Sequence, residues 1–277
     1  FGGTGNAIDN GRYAGIIYLP CTPENDFFPS EFPADADLIY ICSPNNPTGA
    51  IAPRARLAAL VDQCNADGKI IIFDSAYERF IRDDDAVRSI YEIPGARTCA
   101  IEIGSFSKDA GFTGVRLGWS IVPKDLHYEG AKSPYEIWTR RQNTKFNGAS
   151  NVVQYGGLAA LSDEGFKQTQ ETIDYYMANA DIIRAGLESC GFKCYGGRNA
   201  PYIWLETPGR MDSWAFFDQL LNEAHVVCTP GAGFGASGQG YARLSAFGHR
   251  ENIIKAVESV KARYGKKQCG CSCGRNC

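Results

Sequence analysis

Short apolar runs alternate with segments of helical spacing from near the start of the chain to about Tyr264. Asp37 to Cys42 (DLIYIC), Lys69 to Phe73 (KIIIF), Thr98 to Gly104 (TCAIEIG) and Leu117 to Val122 (LGWSIV) are nearly continuous in apolar residues. Runs of this kind read as strands buried on both faces, which a mainly parallel sheet covered by helices requires. Between the first two, Leu57, Leu60, Val61 and Cys64 recur at helical spacing after Pro53, and Gly68 stands where such a helix stops. The pattern predicts a strand, a crossover helix and a parallel strand.

From Asp163 to Cys190 the apolar positions Phe166, Ile173, Tyr176, Met177, Ala180, Ile183 and Leu187 predict one long amphipathic helix, ended by Gly191. Beyond it the pattern changes. The strand-like YIWLE, a helix around Trp214, Phe217, Leu220 and Leu221, the strands HVVCT and YARLSA, and a last helix through Ile253, Ile254 and Val257 predict a smaller α+β unit. The fold class is therefore α/β: a mainly parallel large unit over 1–172, a small C-terminal α+β unit over 173–265, and a Cys-rich tail over 266–277 that is expected to be disordered.

Composition narrows the partners. With 277 residues, 44% hydrophobic and 21% charged, the chain is globular and large enough for two cores. Lys+Arg 28 against Asp+Glu 31 leaves a formal charge of −3, so no basic field exists to hold nucleic acid. No stretch approaches the roughly 20 apolar residues of a membrane span, and no export signal is visible, so the expectation is a soluble protein that binds small molecules. Of eleven cysteines, Cys269, Cys271, Cys273 and Cys277 crowd the tail, and the other seven are scattered. Scattered cysteines fit buried small hydrophobes better than a disulfide framework; for the tail, a soft-metal thiolate site is the alternative to a disordered extension. His127, His225 and His249 stand in no metal-ligand or triad spacing, and no metal is expected.

Two turns follow predicted strands and carry candidate chemistry. CSPNNPTGA (Cys42 to Ala50) sets Asn46 and Thr48 in a turn at the C-terminal end of a strand, where open α/β sheets bind ligands. In IIIFDSAYERF, Asp74 follows four apolar strand residues and Tyr77 comes three later. Each alone is ordinary turn chemistry or a helix cap. The segment IGSFSKDAGFTGVRLGW changes that, because Lys108 also follows a strand and converges on the same sheet edge. A lysine in a partly desolvated crevice is nucleophilic as the neutral amine, which attack on an aldehyde requires. Ser105, Ser107 and Arg116 add hydroxyls and a cationic fork suited to phosphate. An aldehyde that carries a phosphate, and a pyridine nitrogen that wants an anionic partner such as Asp74, describe pyridoxal 5′-phosphate. Asn46 and Tyr77 are candidates for its phenolic oxygen.

NPTG at 46–49, D-x-x-Y at 74–77, SFSK at 105–108 with Arg116 after it, and the arginine strand YARLSAFGH resemble the fold-type I pyridoxal-phosphate aminotransferases, the aspartate aminotransferase superfamily. The strings LPCTPENDFFP, CSPNNPTGA, SIYEIPGA, SFSKDAGFTGVRLGW, FNGASN, GGRNAPYIWLE, TPGAGFG and RLSAFGHRENI are similar to its LL-diaminopimelate aminotransferases from near residue 12 to residue 264. The resemblance implies transfer of an amino group between LL-diaminopimelate and 2-oxoglutarate, in lysine biosynthesis. It implies that Lys108 is the Schiff-base lysine and proton shuttle, that Asp74 pairs the pyridine nitrogen, and that Asn46 and Tyr77 bind the phenolic oxygen. Ser105, Ser107 and Arg116 are implied to hold the phosphate. Asn46, Asn147 and Arg243 are implied to line the substrate, with Arg243 on its α-carboxylate and Asn147 reaching the neighbouring subunit of a homodimer.

Three other readings stand beside this one. Gly233, Gly235 and Gly238 spell G-x-G-x-x-G, but the stretch after them reads as a strand rather than the phosphate-binding helix of a dinucleotide site. The second is another amino-acid donor within the same superfamily. The third follows from the family's chain, which begins well before the point matching Phe1: an N-terminally truncated, non-catalytic remnant. The compartment is expected to be cytoplasm or plastid stroma.

Overall fold

The computed structural model describes residues 7–8, 12–130 and 132–265; the Cys-rich tail over 266–277 lies outside the described residues. After a short antiparallel pair, Ala7–Ile8 with Arg12–Tyr13, the first of two four-stranded sheets orders β1 (Leu38–Cys42), β2 (Ile70–Asp74), β3 (Ala100–Ser105) and β4 (Gly118–Ile121) in space as in sequence. β1, β2 and β3 are parallel, in a register that sets Cys42 beside Asp74 and Asp74 beside Ile103. α1 (Arg54–Asp67) crosses from β1 to β2, and Gly68 ends it at φ 67° with its N–H on the Cys64 carbonyl. That left-handed conformation suits glycine alone without strain. Leu57, Leu60, Val61 and Cys64 form the buried face of α1 and join Ile39, Ile41, Ile71 and Phe73 in one core.

LGWSIV departs from expectation. β4 pairs antiparallel with β3 at the sheet edge, and Trp119 and Ile121 are exposed instead of buried on both faces. The segment between β3 and β4 contains no crossover helix, so the chain turns back beside the strand it has just left. An apolar run looks the same in either direction.

Helices α2 (Pro134–Arg141), α3 (Asn151–Ala160) and α4 (Asp163–Ser189) lead to the second sheet. That sheet is antiparallel, with β5 (Cys194–Gly196), β6 (Tyr202–Glu206), β7 (Thr229–Pro230) and β8 (Tyr241–Ser245), where β8 lies between β6 and β7. The ladder of the predicted HVVCT strand involves only Thr229 of that stretch, extended by Pro230. One face of the sheet packs on α4, α5 (Ser213–Ala224) and α6 (Arg250–Tyr264) through Ile183, Leu187, Ile203, Leu205, Phe216, Leu220 and Val260. Of the predicted α5 stripe, Leu220 is buried and Phe217 packs against the core, whereas Trp214 and Leu221 lie outward and Ser213, Phe216 and Ala224 complete the buried face. His249 is the residue that precedes α6. Among the described residues no helix is long and apolar enough to cross a membrane.

The two sheets meet at an aromatic joint. Tyr77 and Phe80, from beyond β2, pack with Ile173 and Met177 of α4 and with Ala200 and Tyr202, and Phe247 seals the cluster. Beside it the Asn46 to Gly49 turn touches the hairpin of β5 and β6 backbone to backbone. A Cβ on Gly49, at φ 69°, would stand 2.8 Å from the Tyr202 carbonyl oxygen and 2.9 Å from Gly196 Cα. Asn199 pins the opposite side, accepting the Arg82 and Asp83 N–H groups at 2.9 and 3.1 Å and donating to Asp83 Oδ2 at 2.8 Å.

Candidate active site

Candidate groups gather where the parallel strands end and the second sheet leans over them, the crevice position expected of an open α/β sheet. After β1 the chain turns tightly: Gly49 N–H donates to the Asn45 carbonyl at 2.8 Å, and Thr48 Oγ1 donates to Asn45 Oδ1 at 2.9 Å. This presents Asn46 toward β8, where Arg243 Nη1 donates to Asn46 Oδ1 at 2.7 Å. A guanidinium only donates, so the amide oxygen of Asn46 must face Arg243. Asn46 Nδ2 then faces the Tyr77 hydroxyl at 3.5 Å. Tyr77 shares a 2.8 Å hydrogen bond with the Tyr202 hydroxyl of β6. Arg243 Nη2 donates to Thr229 Oγ1 at 3.3 Å, its guanidinium carbon stands 4.8 Å and 5.0 Å from the ring centroids of Tyr202 and Phe234, and its buried Nε has no partner among the described residues.

Asp74 closes β2 one register step away. Its Oδ1 accepts the Ala76 N–H at 3.0 Å, and its Oδ2 accepts the hydroxyl of Tyr40 from β1. Burial first, and then the adjacent Asp74 carboxylate, push the Tyr40 phenol upward, so it remains a protonated donor. The same two causes push the Cys42 thiol up to about 12, and its S–H points to the Pro44 carbonyl. Cys42 therefore stays a thiol beside the carboxylate rather than a nucleophile.

Lys108 follows β3, half-buried, with Nζ 5.2 Å from the Phe247 ring centroid. Phe247 in turn lies edge-on to Tyr202 at 5.9 Å and to Phe80 at 6.2 Å, which puts the lysine at the aromatic joint. The rest of its loop is held by its own chain. Ser105 Oγ accepts the Ser107 N–H at 3.1 Å, Thr113 Oγ1 donates to the Ser107 carbonyl at 2.6 Å, and Arg116 Nη1 donates to the Thr113 carbonyl at 2.5 Å. Arg116 is exposed and holds φ 67°, a conformation a non-glycine residue rarely takes. Asn147 shares both properties, at φ 65° in the turn after α2 with its N–H on the Gln142 carbonyl at 2.8 Å.

Of the residues singled out from sequence, Asn46, Tyr77 and Arg243 are thus joined by hydrogen bonds, with Asp74 beside them and Lys108 at the joint. No hydrogen bond among the described residues ties Ser105, Ser107, Arg116 or Asn147 to that network. Tyr202, Tyr40 and Phe234 were not anticipated. Tyr202 and Tyr40 sit inside strands, where an aromatic reads as core; only strand pairing could have flagged them, since register sets Tyr40 beside Ile72, two residues from Asp74. The glycines of the G-x-G-x-x-G stretch form short turns followed by β8 and not by a helix, so they do not build a dinucleotide fingerprint.

The family described as "Aminotransferase class I and II" matches residues 22–260. The LL-diaminopimelate aminotransferase of Bacteroides fragilis (strain YCH46) is 52% identical over 259 residues, which cover 92% of this chain and 63% of that protein. The solved L,L-diaminopimelate aminotransferase from Chlamydomonas reinhardtii superposes with a TM-score of 0.87 at 48% identity, over 94% of this chain and 64% of that one. An aromatic aminotransferase from Pyrococcus horikoshii OT3 superposes at 0.78 with 26% identity, over 89% of this chain and 67% of that one. The chain thus spans a little under two thirds of the first two of these relatives. Its α/β architecture is that of these enzymes.

Proposed function

The chain belongs to the class I and II aminotransferases, and from that premise we propose that it acts as a pyridoxal 5′-phosphate-dependent aminotransferase that exchanges LL-diaminopimelate and 2-oxoglutarate for tetrahydrodipicolinate, glutamate and water. The observation that carries the reading is the hydrogen-bonded path from Arg243 through Asn46 to Tyr77, which joins the two sheets beside Asp74 and Lys108. The 52% identity to a diaminopimelate aminotransferase supports the choice of substrate.

The donor set fits the cofactor. Asp74 is one carboxylate with two donors already on it, which leaves acceptor capacity for a protonated ring nitrogen. Asn46 and Tyr77 offer an amide and a phenol to the phenolic oxygen, Lys108 an amine to the aldehyde, and Ser105, Ser107 and Arg116 hydroxyls and a cation to the phosphate. The orphaned Nε of Arg243 leaves a guanidinium donor free for a substrate carboxylate. When bound, pyridoxal phosphate supplies an electron sink for the bond broken at the substrate α-carbon. Lys108 Nζ is the group that takes and returns the α-proton. Asp74 keeps the ring nitrogen protonated, Tyr40 orients Asp74, and Arg243 holds the substrate so that its α-carbon faces the lysine. In this reading the unit over 1–172 carries the cofactor groups and the unit over 173–265 carries the carboxylate clamp.

A homodimer belongs to the same proposal. α3 exposes Val152 (81%), Tyr155 (73%) and Leu158 (65%), an apolar stripe that a second copy would cover. Asn147 lies next to that stripe and is the residue proposed to reach the second copy's substrate.

The test is an amino-donor panel. The intact protein with pyridoxal phosphate and 2-oxoglutarate should form glutamate fastest from LL-diaminopimelate. Aspartate or an aromatic amino acid as the clearly better donor would refute the substrate while leaving the reaction class standing.

A further inference from the structure

We infer that Tyr202 is a positioning residue for the reaction: its hydroxyl donates to Tyr77 Oη, 2.8 Å away, and so leaves the single Tyr77 proton to point at the ligand's phenolic oxygen. The inference rests on the cofactor reading above and adds a residue from the second sheet to it.

The direction of that hydrogen bond follows from its neighbours. Arg243 has no acceptor, so Asn46 Oδ1 is committed to it and Asn46 Nδ2 is the group facing Tyr77 Oη. A phenol has one proton and two lone pairs. With Asn46 donating into one lone pair, a Tyr202 donor fills the other, and the remaining Tyr77 proton is available to a ligand. The reverse arrangement would spend that proton on Tyr202. Accepting from Tyr202 draws the Tyr77 phenol down against the upward push of burial, whereas donating raises the Tyr202 phenol further.

The placement of Tyr202 argues for a role of its hydroxyl. The residue is 3% exposed, and its ring is held edge-on by Tyr77 at 5.2 Å and Phe247 at 5.9 Å, with the Arg243 guanidinium 4.8 Å from its centroid. A phenylalanine would make every one of these ring contacts. The hydroxyl adds only the bond to Tyr77, and a buried hydroxyl is tolerated because that bond satisfies it. Cys42 and Asp74 from the first sheet, Arg243 from the second, and Lys108 across Phe247 are the other titratable groups around the pair. Because Tyr202 stands on β6 and Arg243 on the adjoining β8, one sheet grips the substrate carboxylate and also sets how strongly Tyr77 donates.

The test is a pH titration of the visible absorbance of bound pyridoxal phosphate in the intact protein, for the unaltered chain, Tyr202→Phe, Tyr77→Phe and the double variant. A donor to the phenolic oxygen favours charge there, so weakening it raises the midpoint of the titration. Tyr202→Phe should raise the midpoint by roughly half a pH unit, through loss of one polarising bond in a chain of them. Tyr77→Phe should raise it more, and the double variant should match Tyr77→Phe, because Tyr202 acts only through Tyr77. KM for the amino donor should hold while kcat falls a few-fold. A Tyr202→Phe protein of unaltered midpoint, or a double variant in which the two shifts add, overturns the inference. A lowered melting temperature with an unmoved midpoint would make Tyr202 merely structural. Absence of a visible band in the unaltered protein overturns the cofactor reading itself, and this inference with it.

Discussion

Two parts of the candidate site are held in different ways. Asn46, Tyr77 and Arg243 are fixed by side-chain hydrogen bonds that span two sheets, with Tyr77 only 8% exposed. Ser107 and Arg116 are fixed by their own loop, through Thr113, and Arg116 stands open to solvent. The first part is organised before any ligand arrives, which suits groups that must meet developing charge at one geometry. The second presents a neutral hydroxyl and a solvent-screened cation, which suits the phosphate contacts proposed for it. Lys108 belongs to both, since its backbone is in the loop and its amine is at the aromatic joint. Substitutions in the joint should therefore damage chemistry, and substitutions in the loop should loosen the cofactor.

Lys108→Ala should give the largest effect, a loss of glutamate formation of at least about 10³-fold, because the proposed mechanism makes nucleophile and proton carrier one residue. Non-covalent cofactor should still be retained on gel filtration; wholesale loss of cofactor would move Lys108 into the loop's class. Asp74→Asn should lower kcat by roughly 10²-fold while changing cofactor affinity far less, because the electron sink depends on a protonated ring nitrogen. Arg243→Lys should raise KM for the amino donor by about 10-fold to 100-fold, since a lysine cannot reproduce a forked contact. Arg116→Ala should weaken cofactor binding by about 10-fold, with little change in kcat at saturation. Added salt should weaken the parent's affinity more than the variant's, as expected of an exposed cation. Equal loss of cofactor from the Asp74 and Arg116 variants would erase the distinction between the two parts.

The smallest expected effect concerns the joint as a piece of structure. Gly49→Ala puts a Cβ against the Tyr202 carbonyl and Gly196 at a left-handed position, and it should cost about 1–3 kcal/mol in denaturant unfolding. Because the strain falls between the sheets, it should also raise KM for the amino donor. Gly68→Ala, left-handed too but with open space around it, should cost stability without touching KM.

What the sequence revealed follows a physical line. α1 and α4 begin and end within a residue of expectation because their apolar spacing is long and glycines follow them. Asn46, Asp74 and Lys108 could be singled out because each is a polar group just beyond, or closing, an apolar strand. The direction of β4 could not be read, since pairing sense lies in the connection and not in the run. Nor could the whole buried face of α5: Leu220 is anticipated and is buried, but Ser213 and Phe216 compete with Trp214 and Leu221 at helical spacing, and Trp214 meets Phe217 edge-on at 5.8 Å. Tyr202 escaped for a related reason. It opens β6 at the head of a run of buried residues, and only the fold brings it to a tyrosine 125 positions away.

Lys108 is the proposed covalent anchor of the cofactor, and peptide mapping tests this most directly. The intact protein is incubated with pyridoxal phosphate, reduced with borohydride and digested, and the labelled peptide is sequenced. The label should fall on the peptide that carries Ser107, Lys108 and Asp109, and excess pyridoxamine phosphate should suppress it. A label on any other lysine, or one spread over the exposed lysines, would contradict the assignment of the site.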